Sequence, residues 1–255
     1  MVHGLEKFKE YFGNYTSQYV LIGGTACSIL MEELGTEFRA TQDLDIVLII
    51  EALDSSFGET FWKFIEDGGY EHRNKGRNKN QFYRFKDPKD KSFPKMIELL
   101  SKLPNEFEFS SDRKLIPIHI DESIISLSAI LLNDDYYNLL LKGRQLVDGF
   151  SVIGKETIIL FKIKAWLDMK KRREDGENVD MNDIRKHKND IFRLLAYVYP
   201  TSRIECTNDI QNDVIQFIQQ IKEDKPDLKN LRIKNTSFEE MLKILEGIFL
   251  GKPEV

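Results

Sequence analysis

LIGGTACSILMEELGTEFRATQDLDIVLII, residues 21–50, places a glycine pair at the end of one hydrophobic run and an Asp-x-Asp at the head of another. Tyr19 to Ile22 reads as a strand that stops at Gly23 and Gly24, and Thr25 to Leu34 as the helix that follows. Residues without a Cβ let a phosphate approach the backbone, and N–H groups at a helix start favour negative charge. Asp43 and Asp45 then stand two apart at the start of a predicted strand. At that spacing both carboxylates leave one face and can share a divalent cation. A nucleoside triphosphate held at the glycines would meet its metal there.

The chain of 255 residues is 41% hydrophobic and 31% charged, which is a globular composition with room for a sizeable core. Disordered and membrane-spanning classes are excluded, since no apolar run approaches the roughly 20 residues a transmembrane helix needs. The N-terminal MVHGLEKFKEYF lacks the apolar segment of a signal peptide. Cys27 and Cys206 are far apart and read as buried small side chains rather than a disulfide. Both features point to a cytoplasmic protein without a membrane partner. The net charge of −5 and a pI near 5.6 give no whole-molecule attraction for nucleic acid. Local charge differs: residues 72–84, HRNKGRNKNQFYR, hold five Lys or Arg and no acid, and Lys170 to Arg173 is an uninterrupted basic run. RNA can be held at such patches.

Outward from the opening stretch, β-rich runs alternate with helical ones. Strands are predicted at Tyr19 to Ile22, Asp45 to Ile50, Gln81 to Lys86, Lys95 to Leu100 and Leu115 to Ile120. Ser56 to Asp67 has apolar residues at helical spacing, with Gly68 and Gly69 as its stop. The run ESIISLSAILLNDDYYNLLL fits a strand or a buried helix. From Gly154 onward, Lys155 to Lys171, Met181 to Tyr199, Asp209 to Ile221 and Ser237 to Phe249 read as amphipathic helices, and Ser237 with Glu240 has capping-box spacing. The expected class is α+β, a mixed β-sheet with flanking helices over residues 1–150, followed by an α-helical domain over residues 151–255 that completes a cleft.

Glu98, in FPKMIELLSKL, interrupts an apolar strand. If it shares a face with Met96 and Leu100, a carboxylate enters an apolar stripe and needs a cation, a proton or a hydrogen-bond partner. An exposed edge strand would remove that need. Three carboxylates, Asp43, Asp45 and Glu98, on adjacent strands suit two Mg²⁺ ions, with Mn²⁺ as a substitute. Phosphoryl chemistry also asks for basic groups near the phosphates. Arg39 and Thr41, just before Asp43, either touch phosphate or shape the entry loop. Lys162 stands on the apolar side of its helix, among Ile158, Ile159, Ala165 and Trp166, whereas Lys164 falls on a more mixed face.

The segment GGTACSILMEELGTEFRATQDLDIVL, with MIELLS, ILFKIKAWLDMKKRRE and DIRKHKNDIFRL, resembles the AbiEii/AbiGii toxin family of nucleotidyltransferases, within the DNA polymerase β-like nucleotidyltransferase superfamily. The likeness runs from about Tyr19 to Tyr199, and its most specific part is GG followed by RxTxDLD. It implies a nucleotidyltransferase fold, triphosphate binding at Gly23 and Gly24, and metal ligation by Asp43, Asp45 and Glu98. It also implies a helix-borne lysine and a downstream aspartate, matched here by Lys162, with Lys164 as rival, and Asp190. A bland reading of Asp190 is a surface pair with Lys186 at i, i+4. The superfamily motif is commonly Gly-Ser, so Thr25 would have to supply the missing hydroxyl, unless it is an ordinary N-cap. The expected reaction moves a nucleoside monophosphate from an NTP, ATP among the candidates, to an acceptor hydroxyl such as a tRNA 3′ end. The resemblance implies a toxin of a toxin–antitoxin or phage-defence pair, with a cognate antitoxin protein as partner.

Two other classes share parts of this pattern. A metal-dependent glycosyltransferase would use the Asp-x-Asp without needing the glycine pair, and a non-catalytic binding module would retain only the fold. None of His3, His72, His119 and His187 has metal-ligand spacing, so zinc is disfavoured. Arg73, Lys75, Arg77 and Lys79 with Phe82 and Tyr83 would guide an RNA end, or form a solvated loop.

Overall fold

The computed structural model describes residues 2–39, 41–70, 83–101, 130–131 and 133–251. The chain forms two compact units, Met1–Asp121 with Arg144–Gly154, and Glu122–Gly143 with Lys155–Val255. Where the sequence suggested one boundary after residue 150, the chain thus passes between units three times.

The first unit contains strands β1 (Tyr19–Leu21), β2 (Asp43–Leu48), β3 (Tyr83–Lys86), β4 (Met96–Ser101), β5 (Arg144–Val147) and β6 (Phe150–Ile153). They form one mixed sheet in the order β3-β4-β2-β1-β6-β5. β1 lies antiparallel to β2 and parallel to β6, β2 parallel to β4, and the β3/β4 and β5/β6 pairs are antiparallel. The central position of β1 follows from its composition, because Tyr19, Val20 and Leu21 are all fully buried and a strand with no polar face must be covered on both sides.

Three helices belong to this unit, α1 (Leu5–Phe12), α2 (Gly23–Glu33) and α3 (Ser55–Gly68). In α1, Leu5, Phe8 and Phe12 fall on one face and are buried. Phe12 meets Phe64 of α3 edge-on at 5.3 Å, and Phe8 meets Tyr19 of β1 at 5.2 Å. Each such contact adds about 0.5–1.5 kcal/mol to the burial of its rings. Asp54 caps α3 by accepting from the Phe57 amide at 2.8 Å, and Gly69, at φ +62°, ends it.

The second unit contains helices α4 (Asp134–Gly143), α5 (Lys155–Glu174), α6 (Met181–Leu195), α7 (Asn208–Ile221) and α8 (Phe238–Leu250). α5 is buried on most sides along Thr157 to Ile163, as its near-continuous apolar sequence requires, and it packs against α6 and α7. Trp166 of α5 is fully buried and meets Phe217 of α7 edge-on at 5.2 Å. Removing an aromatic so placed costs about 3–5 kcal/mol. The capping box forms as its spacing predicts, with Ser237 accepting from the Glu240 amide and Glu240 accepting from the Ser237 amide.

The α+β class and the helical second half agree with the sequence reading. Several limits differ. α2 starts at Gly23 rather than Thr25, β2 runs from Asp43 to Leu48 rather than from Asp45 to Ile50, and α6 stops at Leu195 rather than Tyr199. α1 and the β5–β6 hairpin had no predicted counterpart. The run left open between strand and helix ends within α4 (Asp134–Gly143), while its residues 122–129 and 132 lie outside the described residues. The strand expected at Leu115 to Ile120, and Gln81 and Phe82 of another, lie outside the described residues. Among the described residues no helix is long and apolar enough to cross a membrane.

Candidate functional site

The turn from β1 into α2 has no linking loop. Ile22 is the N-cap residue and makes no side-chain cap, while its own amide donates to the Asp45 carbonyl at 3.0 Å. The strand register therefore delivers the glycine pair directly opposite the Asp-x-Asp. Gly23 has φ +64°, a conformation that opposes any Cβ, and a Cβ there would stand 1.8 Å from Asp45 Oδ2. Glycine is thus required twice over, by dihedral and by space. A Cβ on Gly24 would stand 2.7 Å from Thr41 Oγ1 and 3.4 Å from an Arg39 guanidinium nitrogen.

Gly23, Gly24, Arg39, Thr41 and Asp45 are consequently assembled around the first turn of α2. Helix geometry leaves the amides of that turn without intrahelical acceptors, and the helix dipole makes this end positive. A guanidinium beside them adds full charge. Thr25 is buried, and its hydroxyl donates to the Asp43 carbonyl at 2.7 Å. In this structure it fastens α2 to the head of β2, serving neither as an N-cap nor as a group presented beside the glycines.

Across the sheet, Asp45 of β2 pairs in register with Glu98 of β4, and Glu98 with Arg84 of β3. In-register neighbours project to the same face, so the three charges form a row. β4 is an interior strand and Glu98 is only 7% exposed, which removes the reading as a solvated edge residue. Arg84 donates to Glu98 Oε1 through Nε at 2.7 Å and Nη2 at 2.6 Å. Burial and the neighbouring Asp45 charge, which outweigh Arg84, push the Glu98 carboxyl up to about 8, and the two carboxyls are joined by a hydrogen bond. At neutral pH this pair holds a proton.

Asp43, two residues before Asp45, lies on the same face of β2, half-buried and paired in register with Met96. Two of the three predicted metal ligands, Asp45 and Glu98, are therefore side by side, with Asp43 at the strand head. Among the described residues no group of three His, Cys, Asp or Glu side chains is arranged as a complete metal cage. The donor chemistry nevertheless fits a hard cation: only oxygen ligands, and a buried carboxyl whose proton a divalent ion would replace.

In the second unit Lys162 and Asp190 meet. Lys162 Nζ donates to Asp190 Oδ2 at 2.9 Å, and Arg193 Nη1 approaches Oδ1 at 3.3 Å. Both members of the α5–α6 pair are buried, Asp190 completely. The reading of Asp190 as a surface partner of Lys186 is thereby corrected. Lys164 faces elsewhere, donating to Asp213 of α7 at 2.8 and 2.9 Å, where the Tyr136 hydroxyl also donates.

Arg84 is the member of this constellation that sequence reasoning passed over. Only the β3–β4 pairing identifies it, because in sequence it is the last residue of a basic segment with no mark of its own. Arg73, Lys75, Arg77, Lys79, His72, Phe82 and His119 lie outside the described residues. No protein-family model matches the chain, and no curated protein matches it.

Proposed function

We propose that the protein is a divalent-metal-dependent nucleotidyltransferase of the nucleotidyltransferase fold, joining the α-phosphorus of an NTP to an acceptor hydroxyl and releasing pyrophosphate. One observation carries this reading: a helix that begins on Gly23 packs its first residue against the carboxylate of Asp45, which pairs in register with buried Glu98. An anion-binding turn and a cation-binding carboxyl pair are adjacent, as a metal–triphosphate substrate requires.

In this reading the first-turn amides of α2, with Arg39 and Thr41, hold the triphosphate. Asp45 and Glu98, with Asp43 from the strand head, hold Mg²⁺ in one or two positions, and Mn²⁺ substitutes. The bound metal supplies neutralisation of the triphosphate and departing pyrophosphate. Arg84 keeps Glu98 oriented along the row, and a bound cation would take the place of the Glu98 proton. The likeness to AbiEii/AbiGii toxins supports RNA, and a tRNA 3′ end in particular, as acceptor, a cytoplasmic toxin role, and a protein antitoxin as partner. The glycine turn packed on Asp45 favours this chemistry over nucleotide-sugar transfer, for which an Asp-x-Asp alone suffices.

The test is to incubate the protein with total RNA and each labelled NTP in Mg²⁺. Label transfer that disappears in Asp45→Ala is the expected result. Absence of transfer from folded protein with every NTP and acceptor would overturn the reading in favour of a non-catalytic module.

A further inference from the structure

A cavity of about 270 Å³ lies in the first unit, at the end of α2 opposite the glycine pair. Its floor is apolar, made by Leu5, Ile29, Val147 and Phe150. Its rim is acidic: Glu6 from α1, Glu32 and Glu33 from α2, and Asp148 from the β5–β6 turn. Ten residues of helix separate Gly23 from Glu33, about 15 Å along the axis, so this cavity is distinct from the nucleotide site.

Three features identify what it accepts. Among the described residues Glu6, Glu32 and Glu33 have no ion-pair partner, although all three are exposed at one opening. Glu32 and Glu33 also close the C-terminal turn of α2, the negative end of the helix dipole, where carboxylates are unfavourable and a cation is favourable. Finally, the protein already seats one cation at the edge of this place. Lys9 Nζ lies 3.0 Å from Asp148 Oδ1 and 5.2 Å from the centroid of Phe150. Apolar surface continues outside the cavity in Leu34, 47% exposed just beyond Glu33.

We propose that this cavity is a docking site for a segment of a partner protein that inserts a lysine or arginine between Glu6, Glu32 and Glu33. The alkyl stem of such a side chain matches the apolar floor and its charged head matches the rim. An apolar neighbour in the segment covers Leu34, which a free linear amine does not reach. Among the described residues β5 is an outermost strand, and its outer edge offers backbone hydrogen bonds to an extended segment.

The proposal is tested with a fluorescein-labelled peptide of alternating leucine and lysine, followed by anisotropy against the full chain. Glu32→Gln/Glu33→Gln removes the charge from surface positions. Val147→Phe fills the cavity and leaves every carboxylate in place. Saturable binding that weakens at least about tenfold in both variants, and falls as salt rises, is expected. Loss of saturable binding in the native chain, binding that Val147→Phe leaves unchanged, or spermine binding as tightly as the peptide would each overturn it. Should Val147→Phe fail to fold, the double glutamine variant decides alone, since unchanged binding there also overturns the proposal.

Discussion

Each unit buries a cluster of charges, and the two clusters are built on opposite principles. In the helical unit one carboxylate, Asp190, sits between two cations, Lys162 and Arg193. In the sheet unit one cation, Arg84, faces two carboxyls, Asp45 and Glu98. The first arrangement is electrically satisfied as it stands and explains itself as a clamp between α5 and α6. The second balances only by keeping a proton at neutral pH, a place that a divalent cation can take instead. A buried lysine–aspartate bond is therefore a poor indicator of chemistry, whereas a buried acid beside a second carboxyl at a helix start points to a ligand.

Substitutions put that contrast at risk, most severely in the helical unit. Lys162→Met leaves Asp190 buried without its nearest partner and should lower stability by about 3–5 kcal/mol in urea unfolding. Lys162→Met/Asp190→Leu should recover most of that loss. If the double variant is as unstable as the single one, the pair is more than a clamp, and the contrast between the units fails. Gly23→Ala comes next, at about 2–4 kcal/mol, from a left-handed backbone and a Cβ driven into Asp45. Gly24→Ala should cost less, since the Thr41 side chain it meets can turn aside. Equal melting temperatures for the two alanine variants would show that the Gly23–Asp45 approach is not maintained.

Asp45→Asn separates function from stability. Above about pH 8, where both carboxyls of the pair are charged, removing one charge should raise the melting temperature by about 2–4 °C, while label transfer to RNA falls by at least about a hundredfold. A variant that is less stable and equally inactive would assign Asp45 to the fold instead.

The sequence made the helical half and the turn at Gly23 readable because both rest on local rules: apolar period for the helices, missing Cβ atoms for the turn. Asp45 and Glu98 were readable as separate oddities, an Asp-x-Asp and an acid in an apolar strand. Their adjacency was not, because it depends on β2 and β4 pairing in parallel across 53 residues of chain. Arg84 was hidden for the same reason. The β5–β6 hairpin carried a local signal that went unread: Asp148 and Gly149, at φ +47° and +77°, between two apolar runs. That Asp-Gly pair is a strong hairpin mark. Lys162 was distinguishable from Lys164 by helical position, but its bond to Asp190 needed α5 and α6 to be packed.

The smallest effect is the most specific to the carboxyl row. Glu98 ionises at about 8 in the folded chain against an ordinary value of 4.5. Between those values the unfolded chain has lost the proton and the folded chain keeps it, so unfolding releases a proton and rising pH favours unfolding. Stability from this group is accordingly full below about 4.5, declines as pH climbs to about 8, and changes no further above it. Glu98→Gln has no proton to lose and should flatten that part of the profile. Divalent metal acts in the opposite sense to pH, because Mg²⁺ replaces the proton; its stabilisation of the native protein should grow from pH 6 to pH 8. Thermal melts of both proteins at the two pH values, with and without Mg²⁺, measure this directly. A native protein whose Mg²⁺ stabilisation is independent of pH, or survives in Glu98→Gln unchanged, would place the cation away from Glu98 and return the Glu98–Arg84 bond to the same category as Lys162–Asp190.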